Sequence, residues 1–188
     1  MEDADKKSYP SLNSYAIGAD ALVVIVNPKN PVNDLTKQQV VDIFTGKIKN
    51  WKEVGGPDAA IFVQTREPGS GTLTAFEELA LQKKAKVVAT ATPHTSNGLV
   101  KQAVANNVNS IGFLSMGYLD KTVKATKIDG VSALKSKAIS REWPYVRGLN
   151  VVTKGKPTGL SAKFINYLRS PKGQAIVSEN YLPLRAED

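Results

Sequence analysis

Between Ala16 and Val26 the chain reads AIGADALVVIV, a long apolar run rich in Val and Ile that Asn27-Pro28 closes off. Such a run reads as a buried strand, and a buried strand demands elements to cover it. The following residues supply the first of them. Thr36 with Gln39 three positions on forms a capping box, and Leu35 with Val40 forms a hydrophobic staple. Val40, Ile43 and Phe44 give one apolar face, and Gly46 ends the helix. Beyond the WKEVGGPD turn, a strand is predicted over Ala59–Thr65, then a helix carrying Leu73, Phe76 and Leu79, then a short strand over Val87–Thr92. Ser96-Asn97-Gly98 leads into a helix with Leu99, Val100 and Val104 apolar. Further strands are expected at Ser110–Leu114, Thr122–Ile128 and Val146–Thr153. Two helices close the chain, Ser161–Leu168 and Pro171–Glu179, the second capped by Ser170. Strands alternating with helices predict an α/β fold, and the polar first 15 residues read as a lead-in.

Composition narrows the chemistry. With 188 residues the chain forms one domain, or two small ones sharing a sheet-like junction. It has no Cys, which excludes a disulfide framework, a thiolate nucleophile and a Cys-ligated metal. Its one histidine, His94, excludes a His-rich zinc site and a two-histidine relay. No cofactor or metal is called for. No apolar run reaches membrane-spanning length, and Met1 is followed at once by Glu2, Asp3 and Asp5 rather than by a signal peptide. The net charge of +8 lies wholly in the last third: residues 1–120 carry 12 basic and 12 acidic side chains, residues 121–188 carry 13 and 5. These basic residues are scattered, as on a solvated surface or one that meets an anionic partner. No RNP, zinc-finger or basic-zipper pattern points to nucleic acid.

The most informative segment is Arg66-Glu67-Pro68-Gly69-Ser70-Gly71-Thr72, where a strand ends and a helix begins. Glycines allow backbone amides to turn toward a common point, and the first amides of a helix have no intrahelical partner. The helix dipole adds partial positive charge there. Ser70 and Thr72 add hydroxyls, and Arg66 adds a planar fork of donors, the inventory a small tetrahedral oxyanion needs. Structural capping by Ser and Thr at a helix start accounts for the same residues. The loop is neither a Walker A, lacking the Lys, nor a dinucleotide fingerprint, since Thr74 stands at the third position.

The surroundings extend this. DALVVIVNPKNPVNDLTKQQVVDIFTGKIKNWKEVGG, then REPGSGTLTAFEE, NNVNSIGFLSMGYLD and GLSAKFINYLRSPKGQAIVSENYLPL, in that order, resemble the phosphate-binding proteins of ABC transporters. The likeness runs from about Ala16 to Leu184. It implies a type II periplasmic-binding-protein fold: one complete lobe plus remnants of the other. The implied layout is a lead-in and hinge strand over 1–27, a second, phosphate-loop lobe over 28–143, and a return strand with C-terminal helices of the first lobe over 144–188. Carried over to this chain, Arg66 pairs with the anion, Ser70 and Thr72 donate hydroxyl and amide hydrogens, and Gly71 donates its amide. The resemblance further implies inorganic phosphate as ligand, an ABC permease as partner and an extracytoplasmic (periplasmic or cell-surface) location, in a binder rather than an enzyme.

Only about fifteen residues precede the strand at Ala16, so the family's first-lobe ligand loop and its acceptor carboxylate have no counterpart here. All the expected ligand groups are then donors, which predicts weak binding with little preference for phosphate over sulfate. Phe164, Leu168, Ile176 and Val177 need a cover, expected from a homodimer or a complementing first-lobe chain. Two other classes of function remain. Ser132-Ala133-Leu134-Lys135 fits the S-x-x-K of penicillin-binding proteins, with Lys156-Pro157-Thr158-Gly159 faintly like K-T-G. His94 is a candidate base for Ser70 or Ser96. The third class is a truncated interaction or scaffold module whose basic face docks on an acidic partner. Asp20, Trp51 and Trp143 read as local hydrogen bonding and packing.

Overall fold

The protein is described by a computed structural model that covers residues 8–185. The first seven residues of the expected lead-in lie outside the described residues. Two units form: one from the residues up to Asp20 and from Arg147 onward, the other from Ala21 to Val146. The chain passes between them twice, within β1 (Leu12–Val26) and within a late strand, β8 (Val146–Lys154).

The Ala21–Val146 unit is built on the second half of β1, buried at every position. Next come β2 (Asp34–Leu35), α1 (Lys37–Phe44), a 3-10 turn at Trp51–Val54 and β3 (Phe62–Arg66). They are followed by α2 (Gly71–Leu79), β4 (Thr92–His94), α3 (Asn97–Asn106) and β5 (Ser110–Ser115). A 3-10 turn at Met116–Tyr118, β6 (Lys124–Ala125), β7 (Lys127–Ile128) and α4 (Lys135–Ile139) complete the unit. The main sheet has the order β4-β3-β5-β1-β6, with β3 parallel to both β4 and β5, and β1 antiparallel to β5 and β6. A second, two-stranded sheet pairs β2 with β7. The capping box on α1 is present in both directions: Gln39 N donates to Thr36 Oγ1 and Thr36 N to Gln39 Oε1. At the core, Phe76 stacks on Phe113 with ring centroids 4.0 Å apart, and Phe44 meets both edge-on. Trp51 and Trp143 are buried packing residues whose indole N–H groups donate to Asn109 O and Leu22 O. At Gly112 an added Cβ would stand 2.9 Å from Val100 Cγ1, so the missing side chain is what lets α3 lie close on β5.

Four local expectations are corrected. The strand expected at Val87–Thr92 begins only at Thr92, because Val88 N donates to Phe44 O and its side chain fills the space Gly46 leaves beside the end of α1. The strand expected at Thr122–Ile128 breaks at buried Thr126, whose N–H bonds Val24 O while the chain changes sheet. Leu99, expected on the apolar face of α3, is 43% exposed. Leu12–Tyr15, read as lead-in, are already strand.

In the other unit β8 pairs with β1, followed by α5 (Gly159–Arg169) and α6 (Pro171–Asn180). Ser170 caps α6, its Oγ accepting from Gly173 N at 3.2 Å. Asp20, expected to bond locally, instead takes Arg147 Nε and Nη2 on Oδ2 at 3.1 and 2.8 Å, from 127 residues away. Gln174 donates to Ile17 O and Leu168 O and accepts from Leu184 N. Among the described residues no helix is long and apolar enough to cross a membrane.

Candidate functional site

Three parallel strands, β4, β3 and β5, share one edge at their carboxyl ends, and α2 and α3 start from the first two of them. The crevice outside such an edge is where open α/β sheets bind ligands. Arg66 is the last residue of β3 and lies in register with His94, the last of β4.

The Arg66 side chain is 12% exposed and strongly held. Its Nε donates to both Glu67 Oε2 (3.2 Å) and His94 O (3.1 Å). Nη2 donates to Glu67 Oε1 (3.0 Å) and Thr95 O (3.2 Å). Nη1 donates to Asn97 Oδ1 at 3.3 Å. A guanidinium has five N–H groups, so one N–H on Nη1 remains without a partner among the described residues. The fork expected to face an anion is thus mostly committed to the protein, and Arg66 stands as a fixed, single-pronged donor. Arg66 in turn holds the Glu67 carboxyl below the usual carboxylate range.

Ser70 joins the same knot, its N–H donating to Glu67 O at 3.2 Å. Its Oγ caps α2 by accepting from Thr72 N (3.3 Å) and Leu73 N (3.4 Å), which leaves the hydroxyl hydrogen to donate. Ser70 and Thr72 are buried and Gly71 is exposed at the helix start. Gly69 reaches this turn at φ +87°, a left-handed conformation glycine adopts without strain. Glu67 thus meets Arg66 through its carboxylate and Ser70 through its backbone carbonyl, with Gly71 and Thr72 in the first turn behind the cap. A cavity of about 460 Å³ opens on the flank of α2, lined by Arg66, Pro68, Gly69, Thr74, Glu77 and Lys86 among others. Ser70, Gly71 and Thr72 are not part of its wall.

His94, the candidate base, meets Gln64 Oε1 through Nε2 at 2.9 Å, and Gln64 Nε2 donates onward to Ser110 Oγ. The Gln64 oxygen can only accept, so His94 Nε2 carries the hydrogen. Burial lowers the His94 pKa, favouring the neutral ring. Ser132 of the S-x-x-K lies in irregular chain ahead of the short α4 that Lys135 opens. Among the described residues no group of three or more His, Asp or Glu side chains is placed to hold a metal. Sequence reasoning missed the Arg66 cradle: Glu67, the His94 and Thr95 carbonyls, and Asn97. Only the position of Asn97 directly after the Ser96 cap hinted at it.

The model of the PBP superfamily domain matches residues 3–172. The chain belongs to the PBP superfamily. The phosphate-binding protein PstS of Bacillus subtilis is 36% identical over 177 residues, which cover 93% of this chain. A Clostridium perfringens protein solved with bound phosphate superimposes with a TM-score of 0.89 at 35% identity, over 98% of this chain and 76% of that one. An ABC-type phosphate transport receptor from Vibrio cholerae gives 0.85 at 30% identity, over 98% and 77%. The α/β, PBP-like fold and the family likeness read from the motifs are both borne out. The chain spans 58% of the length of the Bacillus protein and 61% of its Borreliella burgdorferi relative.

Proposed function

We propose that this chain binds inorganic phosphate, or a similar tetrahedral oxyanion, at the loop that opens α2, as part of ABC-type phosphate import. The ligand groups are the remaining Nη1 hydrogen of Arg66, the Ser70 hydroxyl, the Gly71 amide and the Thr72 hydroxyl at the helix start, the Thr72 amide being held by the Ser70 cap. The observation that carries this reading is Arg66, locked at the end of β3 beside a Ser-capped helix start. By this reading a guanidinium fixed by its Glu67 partner, with one N–H left to donate, stands next in sequence to the positive end of a helix dipole. Relatives named for phosphate binding, one solved with phosphate, support the choice of anion. The chain acts by this reading as a binder, not an enzyme, outside the cytoplasmic membrane, and passes phosphate to a permease.

Titration calorimetry with phosphate and sulfate tests it. Binding of both anions with similar affinity, weakened tenfold or more by Arg66→Ala, is the expected result. Unchanged phosphate affinity in a folded Arg66→Ala variant would overturn it.

A further inference from the structure

We infer that Asn97, at the start of α3, is a further ligand contact and the position at which an acceptor in place of its donor would give this site a choice between oxyanions. The inference rests on the phosphate reading of the loop and adds a group that neither the motif nor the helix α2 supplies.

Asn97 Oδ1 accepts from Arg66 Nη1 at 3.3 Å. A guanidinium has no acceptor, so the Asn97 atom that faces it must be the oxygen. The amide nitrogen is thereby turned away from Arg66 with both hydrogens, and Nδ2 has no partner among the described residues. The last uncommitted N–H of Arg66 sits on the same Nη1 that Asn97 holds. Two open donors therefore lie side by side at the carboxyl edge of β3 and β4, one from each strand–helix unit. An oxyanion held on that Nη1 hydrogen meets, as the adjacent side chain, the Asn97 amide that Nη1 already contacts. The nearest carboxylate, Glu67, spends both oxygens on Arg66. Every group facing the anion is then a donor, which does not discriminate hydrogen phosphate from sulfate. An acceptor at position 97 would, because only phosphate carries a proton to donate to it.

The test uses the whole chain and its Asn97→Ala and Asn97→Asp variants, titrated calorimetrically with phosphate and with sulfate. The buffer is kept well above the second ionisation of phosphate, so both anions carry two charges. Asn97→Ala is expected to weaken both by roughly tenfold. Asn97→Asp keeps an acceptor on Arg66 but replaces the donor, and is expected to lower sulfate affinity at least tenfold more than phosphate affinity. Equal losses for the two anions in Asn97→Asp would overturn the inference, reducing Asn97 to a residue that positions Arg66. Unchanged affinity in Asn97→Ala would overturn it as well. If the unsubstituted, folded chain bound neither anion, the phosphate reading would fall and this inference with it.

Discussion

The two units of this protein are held together in different ways. The Ala21–Val146 unit has a dense core in which Phe44, Phe76, Phe113, Trp51 and Trp143 are all essentially inaccessible. In the other unit α5 buries only Ile165, β8 has no fully buried residue, and Leu160, Phe164 and Ile176 are 84%, 57% and 56% exposed. An apolar groove of about 390 Å³ runs between Ile17, Leu149, Tyr167, Leu168, Ile176 and Val177. What fixes this second unit is polar: buried Asp20 paired with half-buried Arg147, and Gln174 tying α6 to Ile17 and Leu168. A site that depends on fixed donors is built where packing is tight, and Arg66 and Ser70 belong to the densely packed unit.

The largest effect expected from this contrast is at Phe76. Phe76→Ala should cost about 3–5 kcal/mol, whereas Phe164→Ala should cost less than about 1 kcal/mol, read from urea unfolding midpoints. Comparable losses at the two positions would break the comparison. Asp20→Ala should come next, at about 1.5–3 kcal/mol, since it removes a buried acceptor whose partner Arg147 is 23% exposed and can turn to water; a loss below about 0.5 kcal/mol would deny the ion pair its role. Tyr145 sharpens the other side. Its hydroxyl is buried without a partner among the described residues, and burial raises its pKa. Tyr145→Phe removes that unsatisfied group and should leave stability unchanged or raise it by up to about 1 kcal/mol. The smallest effect concerns pH. Burial holds the folded-state pKa of His94 below the ordinary 6.5, so between those two values the unfolded chain binds the extra proton. Stability should be fullest above pH 6.5 and decline as pH falls toward the folded value. His94→Gln should flatten that part of the profile.

What was legible in the sequence was local. The Thr36 box, the Ser96 and Ser170 caps and the Ser70 cap are side-chain to backbone bonds spanning two or three residues, and all form. What was not legible depends on distant partners. The edge strand slipped from Val87 to Thr92 because Val88 is claimed by the end of α1. Asp20 found Arg147 across 127 residues. Most of all, beside its neighbour Glu67, the acceptors that hold Arg66 come from 28 to 31 residues downstream. Sequence spacing marked Arg66 as a donor, while only the pairing of β3 with β4 revealed how few of its hydrogens remain for a ligand.

In the proposed site a fixed Arg66 and the start of α2 together hold an oxyanion. An amide-resolved NMR titration with phosphate, on the chain and on Arg66→Ala, tests it most directly. Saturable shifts centred on Gly69, Ser70, Gly71 and Thr72 that vanish in the variant are expected. Shifts centred elsewhere, or persisting at these amides without Arg66, would contradict it.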